Sequence, residues 1–253
     1  MADRPHGRWL ICRTRRSDAR VRLYCFPHAG GSPGEYLRWA DRLAEMEIWA
    51  VQPPGRGVRY AEPAHRDVDS LVADLVAAAR FEPPFALFGH SYGALVAYLV
   101  ARALRATGRE GPRHLFLSGH RAAHLALRRA PLHRLDDADL LAAIGRRNGA
   151  LPPEILEDPE YLREVLAGYR ADLEAAETYR HRPEPPLSVP ITVTAGADDD
   201  GARDELEAWR PHTTGEFTLR LFPGDHFYLR PYRADLLRLI EERLSLSPPA
   251  QVG

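Results

Sequence analysis

Gly89-His90-Ser91-Tyr92-Gly93 restricts the fold of this chain more than any other stretch. It lies between Phe85–Phe88, a short apolar run that reads as a buried strand, and an apolar helical pattern that starts at Ala94. A strand that passes into a helix through so short a connection must bend sharply. The residue at the bend is forced into a strained backbone conformation, and its neighbours two residues away must lack side chains. The serine hydroxyl is thereby raised at the C-terminal end of the strand, in the strand–turn–helix corner that presents nucleophiles. The following helix aims its N-terminal dipole and free N–H groups at the same place. A turn serine in a Gly-rich loop, the plainer reading, leaves the flanking strand and helix unexplained.

The remaining sequence supplies the sheet that such a corner needs. Strands are expected at Trp9–Arg13, Val21–Phe26, Ile48–Gln52, Phe85–Phe88, His114–Leu117, Ile191–Thr194 and Phe217–Phe222. The central runs are short and uniformly apolar, as strands buried on both faces must be. Helices are expected at Tyr36–Met46, Val68–Arg80, Ala94–Ala106, Ala202–Arg210 and Ala234–Leu244. Within the second, Val68, Leu71, Val72, Leu75 and Val76 share one face by 3.6-residue spacing. Alternation of this kind predicts an α/β fold with a mostly parallel central sheet flanked by helices. A chain of 253 residues buries roughly three-quarters of its unfolded surface, so residues 1–253 are expected to form one domain around one large core.

One segment interrupts the alternation. Residues 120–182 show helical patterns, at Asp137–Arg146 and Pro159–Tyr179, and no strand. The segment closes with the stiff run Arg182-Pro-Glu-Pro-Pro186. An insertion of that length between two strands must lie on the surface of the sheet, where it forms either a helical lid over a site or a brace for one edge.

Charge and composition exclude other classes. Lys+Arg 34 against Asp+Glu 35 gives a net charge of -1 and no electrostatic case for nucleic acid; all 34 basic residues are arginine, a mark of coding bias rather than of function. Met1–Trp9 carries Asp3, Arg4 and Arg8 with no apolar segment, and Gly93–Ala101 is too short to span a bilayer, so a cytoplasmic location is expected. Cys12 and Cys25 are read as thiols rather than a disulfide. His120 and His124 have metal-site spacing, but Arg121 stands where a metalloprotease glutamate would be and no third ligand follows; no metal and no cofactor is expected. Arg128, Arg129, Arg134, Arg146 and Arg147 are read as a solvated lid face, with a docking patch for an acidic partner as the minor alternative. Pro53-Pro54-Gly55-Arg56-Gly57 is read as a turn at the crevice rim.

A serine hydroxyl needs a base, and the base needs an orienting carboxylate. On this kind of sheet the order along the chain is Ser, then Asp or Glu, then His. Gly196-Ala197-Asp198-Asp199 follows one late strand and Pro223-Gly224-Asp225-His226 follows the next, so both groups emerge at strand C-termini, where ligand crevices lie. His226 precedes the last helix and is the expected base. The usual three-residue spacing from the glycine selects Asp199 as the acid, with Asp198 and Asp200 as adjacent competitors. An oxyanion hole requires one donor from the residue after the nucleophile, here Tyr92, and one from the loop after an early strand. Phe26-Pro-His-Ala-Gly-Gly-Ser32 is built like the H-G-G loop of esterases, and by that analogy Ala29 supplies the second N–H.

Taken together, Phe26-Pro-His-Ala-Gly-Gly-Ser32, Pro54-Gly-Arg56, Gly89-His-Ser-Tyr-Gly-Ala94, Trp209-Arg-Pro-His-Thr-Thr-Gly215 and Phe222-Pro-Gly-Asp-His-Phe-Tyr-Leu229 resemble the type II thioesterases of polyketide and nonribosomal peptide synthetases. The resemblance covers roughly residues 20 to 245. It implies an α/β-hydrolase fold with an inserted helical lid. It further implies hydrolysis of acyl thioesters from the phosphopantetheine arm of acyl or peptidyl carrier proteins, which edits stalled synthetases. The sequence departs from the family pattern at Tyr92, where Met is usual, and at Asp200, where Pro is common in a loop one residue longer. The same machinery would serve a chain-terminating fatty acyl thioesterase, an acyl-CoA hydrolase or a general carboxylesterase, or survive as a carrier-binding module without chemistry. No carrier segment or linker precedes Val21, so a stand-alone protein is expected, with a monomer as the default state.

Overall fold

The computed structural model of the chain describes residues 8–127, 130–148, 151–201 and 203–245. Among the described residues seven strands form: β1 (Leu10–Cys12), β2 (Val21–Phe26), β3 (Met46–Val51), β4 (Phe85–His90), β5 (Leu115–Ser118), β6 (Ile191–Gly196) and β7 (Phe217–Phe222). They make one sheet in the order β1-β3-β2-β4-β5-β6-β7. Only β1 runs antiparallel, pairing with β3; all other pairs are parallel. Every residue of β3, β4, β5 and β6 is buried, whereas edge strands β1 and β7 are partly exposed. That contrast is why Phe217–Phe222 carries the exposed Arg220, whereas the polar Thr192 and Thr194 of β6 are buried and hydrogen-bonded, to His114 and Tyr228.

Eight α-helices of the described residues accompany the sheet: α1 (Gly34–Leu37), α2 (Val68–Ala78), α3 (Tyr92–Ala106), α4 (Asp137–Asn148), α5 (Pro153–Leu156), α6 (Pro159–Thr178), α7 (Arg203–Glu207) and α8 (Arg233–Ser245). Strand side chains alternate between two cores. Tyr24, Phe26, Phe85, Leu87, Leu115 and Leu117 join α2 and α3 on one face. Leu23, Cys25, Ala86, Phe88 and Phe116 meet Tyr36, Trp39 and the α8 residues Leu236, Leu237 and Ile240 on the other. Two expected helices are shorter than their patterns. Tyr36, Trp39, Ala40 and Leu43 are buried as their spacing requires, but the chain packs them as α1 followed by a 3-10 turn at Arg38–Asp41, because Met46 must already pair with Val21 in β2. Of the pattern Ala202–Arg210, Ala202 lies outside the described residues; α7 ends at Glu207, and a 3-10 turn at Arg210–His212 follows, with Pro211 at its start. The strand at Phe85 extends to His90 and α3 begins at Tyr92, which leaves Ser91 alone in the corner.

Between β5 and β6 lie α4, α5 and α6. The Pro-rich connector is held extended by α3: Arg102 donates to the carbonyl of Arg182 at 2.8 Å and pairs with Glu184, and Arg105 donates to the carbonyls of Pro185 and Pro186 at 2.8 and 3.0 Å. Cys12 and Cys25 are free thiols. No described helix is long and apolar enough to cross a membrane. The strand order, the single antiparallel edge and the helices on both faces constitute an α/β-hydrolase fold with a helical insertion.

Candidate active site

Ser91 has φ 55° and ψ −124° and is the one non-glycine residue with positive φ among those described. Packing around the corner enforces this. A Cβ on Gly89 would lie 2.1 Å from the carbonyl oxygen of Gly93, and one on Gly93 would lie 2.1 Å from that of Phe26 at the end of β2. Neither position admits a side chain unless a backbone moves. The Ser91 N–H donates to the Ser118 carbonyl at 2.7 Å, which ties the corner to the neighbouring strand β5. Tyr92 is the first residue of α3, so its N–H has no intrahelical acceptor.

The acid and base loops meet because β6 and β7 end side by side. The Ala197 N–H donates to the Phe222 carbonyl at 2.7 Å, and the Asp198 N–H to the Gly224 carbonyl at 2.9 Å. Gly196 lets the backbones touch: a Cβ there would sit 2.0 Å from the Asp225 carbonyl oxygen. This docking brings Asp199 Oδ2 to 2.8 Å from His226 Nδ1, with His226 buried and Asp199 half-buried. Asp198 and Asp200 are exposed, so of the three aspartates that compete in the sequence the structure pairs Asp199 with the histidine.

A buried chain of polar groups backs this pair. Tyr228 donates to Thr194 Oγ1 at 2.7 Å, Ser118 Oγ lies 2.7 Å from the Tyr228 hydroxyl, and His90 Nδ1 lies 2.9 Å from Ser118 Oγ. Since Tyr228 spends its proton on Thr194, a single direction satisfies the chain: Ser118 donates to Tyr228 and His90 Nδ1–H donates to Ser118. Burial, the largest influence, pushes the Tyr228 hydroxyl well above the usual tyrosine range and keeps it protonated. The chain spans the ends of β4, β5 and β6 and anchors the segment that carries His226.

Opposite the corner, the Gly31 N–H donates to the His28 carbonyl at 2.8 Å, closing a four-residue turn. Gly30, its third residue, has φ 69°, as a type II turn requires, and Ala29 is its second. Ser91, Tyr92, Ala29, Asp199 and His226 all line one cavity of about 380 Å³. Its far wall comes from the insertion and α7, with Leu127, Tyr169, Leu173, Ala176 and Leu206. Every expected site residue therefore faces the same space.

Three residues of this region were not singled out for chemistry by their sequence patterns. Arg56, read as part of a rim turn, makes a buried bidentate pair with Asp172 of α6, Nη1 to Oδ2 at 2.5 Å and Nη2 to Oδ1 at 2.6 Å. Burial disfavours the Arg56 charge, but Asp172 outweighs it and holds the guanidinium protonated. Tyr169, one turn earlier on α6, covers Gly30: a Cβ there would lie 2.2 Å from its ring. The legible signal was an acid, Asp172, on the apolar stripe Leu166, Tyr169, Leu173. Tyr92 turns its phenol toward this pair; its hydroxyl is buried without a hydrogen-bond partner, and it shares a small apolar cavity with Arg56, Asp172, Leu71 and Val96.

His120 and His124 do not converge. His120 lines the main cavity, while His124 Nδ1 lies 2.7 Å from His212 Nε2, whose Nδ1 lies 2.8 Å from the Tyr98 hydroxyl. No cluster of three metal-ligating side chains occurs among the described residues. Arg128 and Arg129 lie outside the described residues, as does the side chain of Arg147.

A parallel sheet of this order, with a serine raised at the corner after β4 and a histidine–carboxylate pair after β6 and β7, defines the α/β-hydrolase class. Within it, the family described as Thioesterase domain matches residues 21–244. Thioesterase PikA5 of Streptomyces venezuelae is 40% identical over 264 residues, covering 100% of this chain and 93% of that protein. Among solved structures, the type II thioesterase BorB from the borrelidin biosynthetic cluster superposes with a TM-score of 0.84 at 36% identity, covering 94% of this chain and 97% of that one. RedJ, the thioesterase of the prodiginine pathway in Streptomyces coelicolor, gives 0.82 at 41% identity, covering 89% and 86%. The chain belongs to the thioesterase family.

Proposed function

We propose that the chain is an editing type II thioesterase, which hydrolyses acyl thioesters on the phosphopantetheine arm of polyketide or nonribosomal peptide carrier proteins, and that it does so as a monomer through Ser91, His226 and Asp199. The observation that carries the reading is the 2.8 Å contact of His226 with Asp199 in the cavity that Ser91 faces. The relatives support the substrate class: BorB is a type II thioesterase of a biosynthetic cluster, and YbtT, 31% identical, is a type II thioesterase from the yersiniabactin NRPS/PKS biosynthetic pathway.

Asp199 accepts the Nδ1 proton of His226 and fixes the tautomer whose Nε2 is a base. Nε2 takes the Ser91 proton as Oγ attacks the thioester carbonyl, and the tetrahedral oxyanion is received by the N–H groups of Ala29 and Tyr92. Collapse breaks the C–S bond. The leaving thiol has a pKa near that of free cysteine, about 8.5, so it departs with little protonation, and His226 returns the proton to it. Water deprotonated by His226 then attacks the acyl-serine; the acid leaves and Ser91 recovers its proton.

The test is mass spectrometry of an acyl-loaded carrier protein: wild type strips the acyl group and Ser91→Ala leaves it in place. Undiminished hydrolysis by that variant refutes the mechanism. Equal turnover of acyl carrier protein, acyl-CoA and a nitrophenyl ester by wild type favours a general esterase instead.

A further inference from the structure

The insertion contributes a charge to the site that the triad description leaves out. On α6, Tyr169 and Asp172 are three residues apart and so share a face. Both bear on Gly30, Tyr169 by its ring and Asp172 by accepting the Gly30 N–H at 2.8 Å. Arg56, from the loop after β3, completes a bracket: its Nη1 also donates to the Gly31 carbonyl at 3.3 Å. One buried ion pair thus holds the N–H of Gly30 and the C=O of Gly31 at once. These groups flank the last peptide of the turn whose second residue is Ala29. We infer that Asp172 and Arg56 are positioning residues, an ion pair supplied jointly by the insertion and the β3 loop that fixes the aim of the Ala29 N–H at the oxyanion.

The charges make the two members unequal. The Asp172 carboxylate sits one residue from the Ala29 donor, where an uncompensated negative charge opposes a developing oxyanion; Arg56 cancels it. Removing Arg56 alone leaves that charge buried and facing the transition state. Removing both relaxes the turn but removes the opposing field. A scaffold contact would show the same order of variants in resistance to urea, since only the single variants orphan a buried charge, but would leave kcat per folded enzyme and ketone affinity at their wild-type values.

The inference rests on the proposed role of Ala29 and is tested by steady-state hydrolysis of an acyl-N-acetylcysteamine thioester, together with inhibition by an alkyl trifluoromethyl ketone, which forms an oxyanion adduct with serine. Misplacing one oxyanion donor lowers kcat by about 10- to 100-fold. Asp172→Asn is expected in that range, with KM within about threefold of wild type and ketone affinity falling in parallel with kcat/KM. Arg56→Met is expected to fall further, and Asp172→Asn/Arg56→Met to regain at least about fivefold over it. A double variant no better than Arg56→Met, or kcat losses with unchanged ketone affinity, overturns the inference. If Arg56→Met does not fold, the double variant decides, since it orphans no charge: matched losses of kcat and ketone affinity support the bracket, and wild-type values overturn it. Fluorophosphonate labelling of wild-type Ser91 separates the layers. A labelled serine with indifferent Asp172 and Arg56 variants removes only this inference, whereas an unlabelled serine removes the reading beneath it.

Discussion

The two halves of the site are built by different physics. Ser91, Asp199 and His226 stand at the C-terminal ends of β4, β6 and β7 and inherit their positions from the sheet; β4 and β6 have no exposed residue. The insertion is graded instead. α5 buries nothing, α4 buries Leu140 and Ile144, and Leu156 and Tyr161 are exposed apolar side chains at its outer end. From Leu166 onward α6 is anchored by Leu166, Tyr169, Asp172 and Leu173. A lid that hinged as one body would carry Asp172 away from Gly30 at each opening. The burial gradient argues that α6 is a fixed wall of the cavity and that motion belongs to residues outside it.

The largest expected effects test the strand-borne half. Ser91→Ala and His226→Ala are each expected to lower kcat by about 10⁴-fold or more, and the double variant to be no worse than either, because the pair acts as one device. Asp199→Asn is expected to lose about 10³- to 10⁴-fold through the wrong His226 tautomer. Strict additivity in the double variant would break the assignment of both residues to one step.

The inserted half is tested by hydrogen exchange. Amides in 153–160 are expected to exchange at least about a hundredfold faster than those of 166–176. Uniform exchange across α5 and α6 would mean that the wall moves with the tip, and the contrast between fixed and free parts of the insertion would fail.

The same divide explains what could be read from the amino acids alone. The corner was legible because a Cβ on Gly89 or Gly93 would lie 2.1 Å from a backbone carbonyl oxygen, a constraint local enough to write itself into five residues. The central strands of the described residues were legible because burial on both faces favours short, mostly apolar runs. The Arg56–Asp172 pair was not, since its partners are separated by 116 positions and the one local mark, an acid on the apolar stripe of α6, does not name its partner. Tyr92 adjoins the nucleophile in the sequence, but only the structure shows that its phenol is buried toward Arg56 and Asp172, whose charges act on it. The length of the first helix also escaped, because apolar spacing reports which side chains are buried and not whether the backbone between them is α or 3-10.

A pH titration addresses the seam between the halves. Burial, the largest cause, pushes both His114 and His212 down to about 4 from the ordinary 6.5. His114 faces Thr192 within the sheet, with the charges of Arg243 and Glu216 acting on it; His212 joins Tyr98 of α3 to His124 at the root of the insertion and feels His181 and Arg102. The folded values lie below the unfolded ones, so unfolding takes up protons between about pH 4 and 6.5. The stabilisation is complete above about 6.5, falls as pH drops and is gone by about 4. Near pH 5 each histidine contributes roughly 1.4 kcal/mol per pH unit to the slope of stability against pH. Urea titrations of His114→Gln and His212→Gln should each show a slope shallower by about that amount. A wild-type slope in either variant would mean that its histidine is not buried neutral.

The smallest expected effect resolves the acid to a single position. Asp198 and Asp199 are neighbours, but the hydrogen bond of the Asp198 N–H to Gly224 turns the Asp198 side chain outward and leaves Asp199 Oδ2 on His226. The contribution of Asp198 to docking the two loops is thus made by its backbone, which substitution preserves. Asp198→Asn and Asp200→Asn are each expected to change kcat by less than about threefold, since exposed charges are screened by solvent. A loss at Asp198 comparable to that at Asp199 would mean that the acid loop exchanges its two carboxylates at the histidine, and the strand-borne half of the site would then be less rigid than the helix facing it.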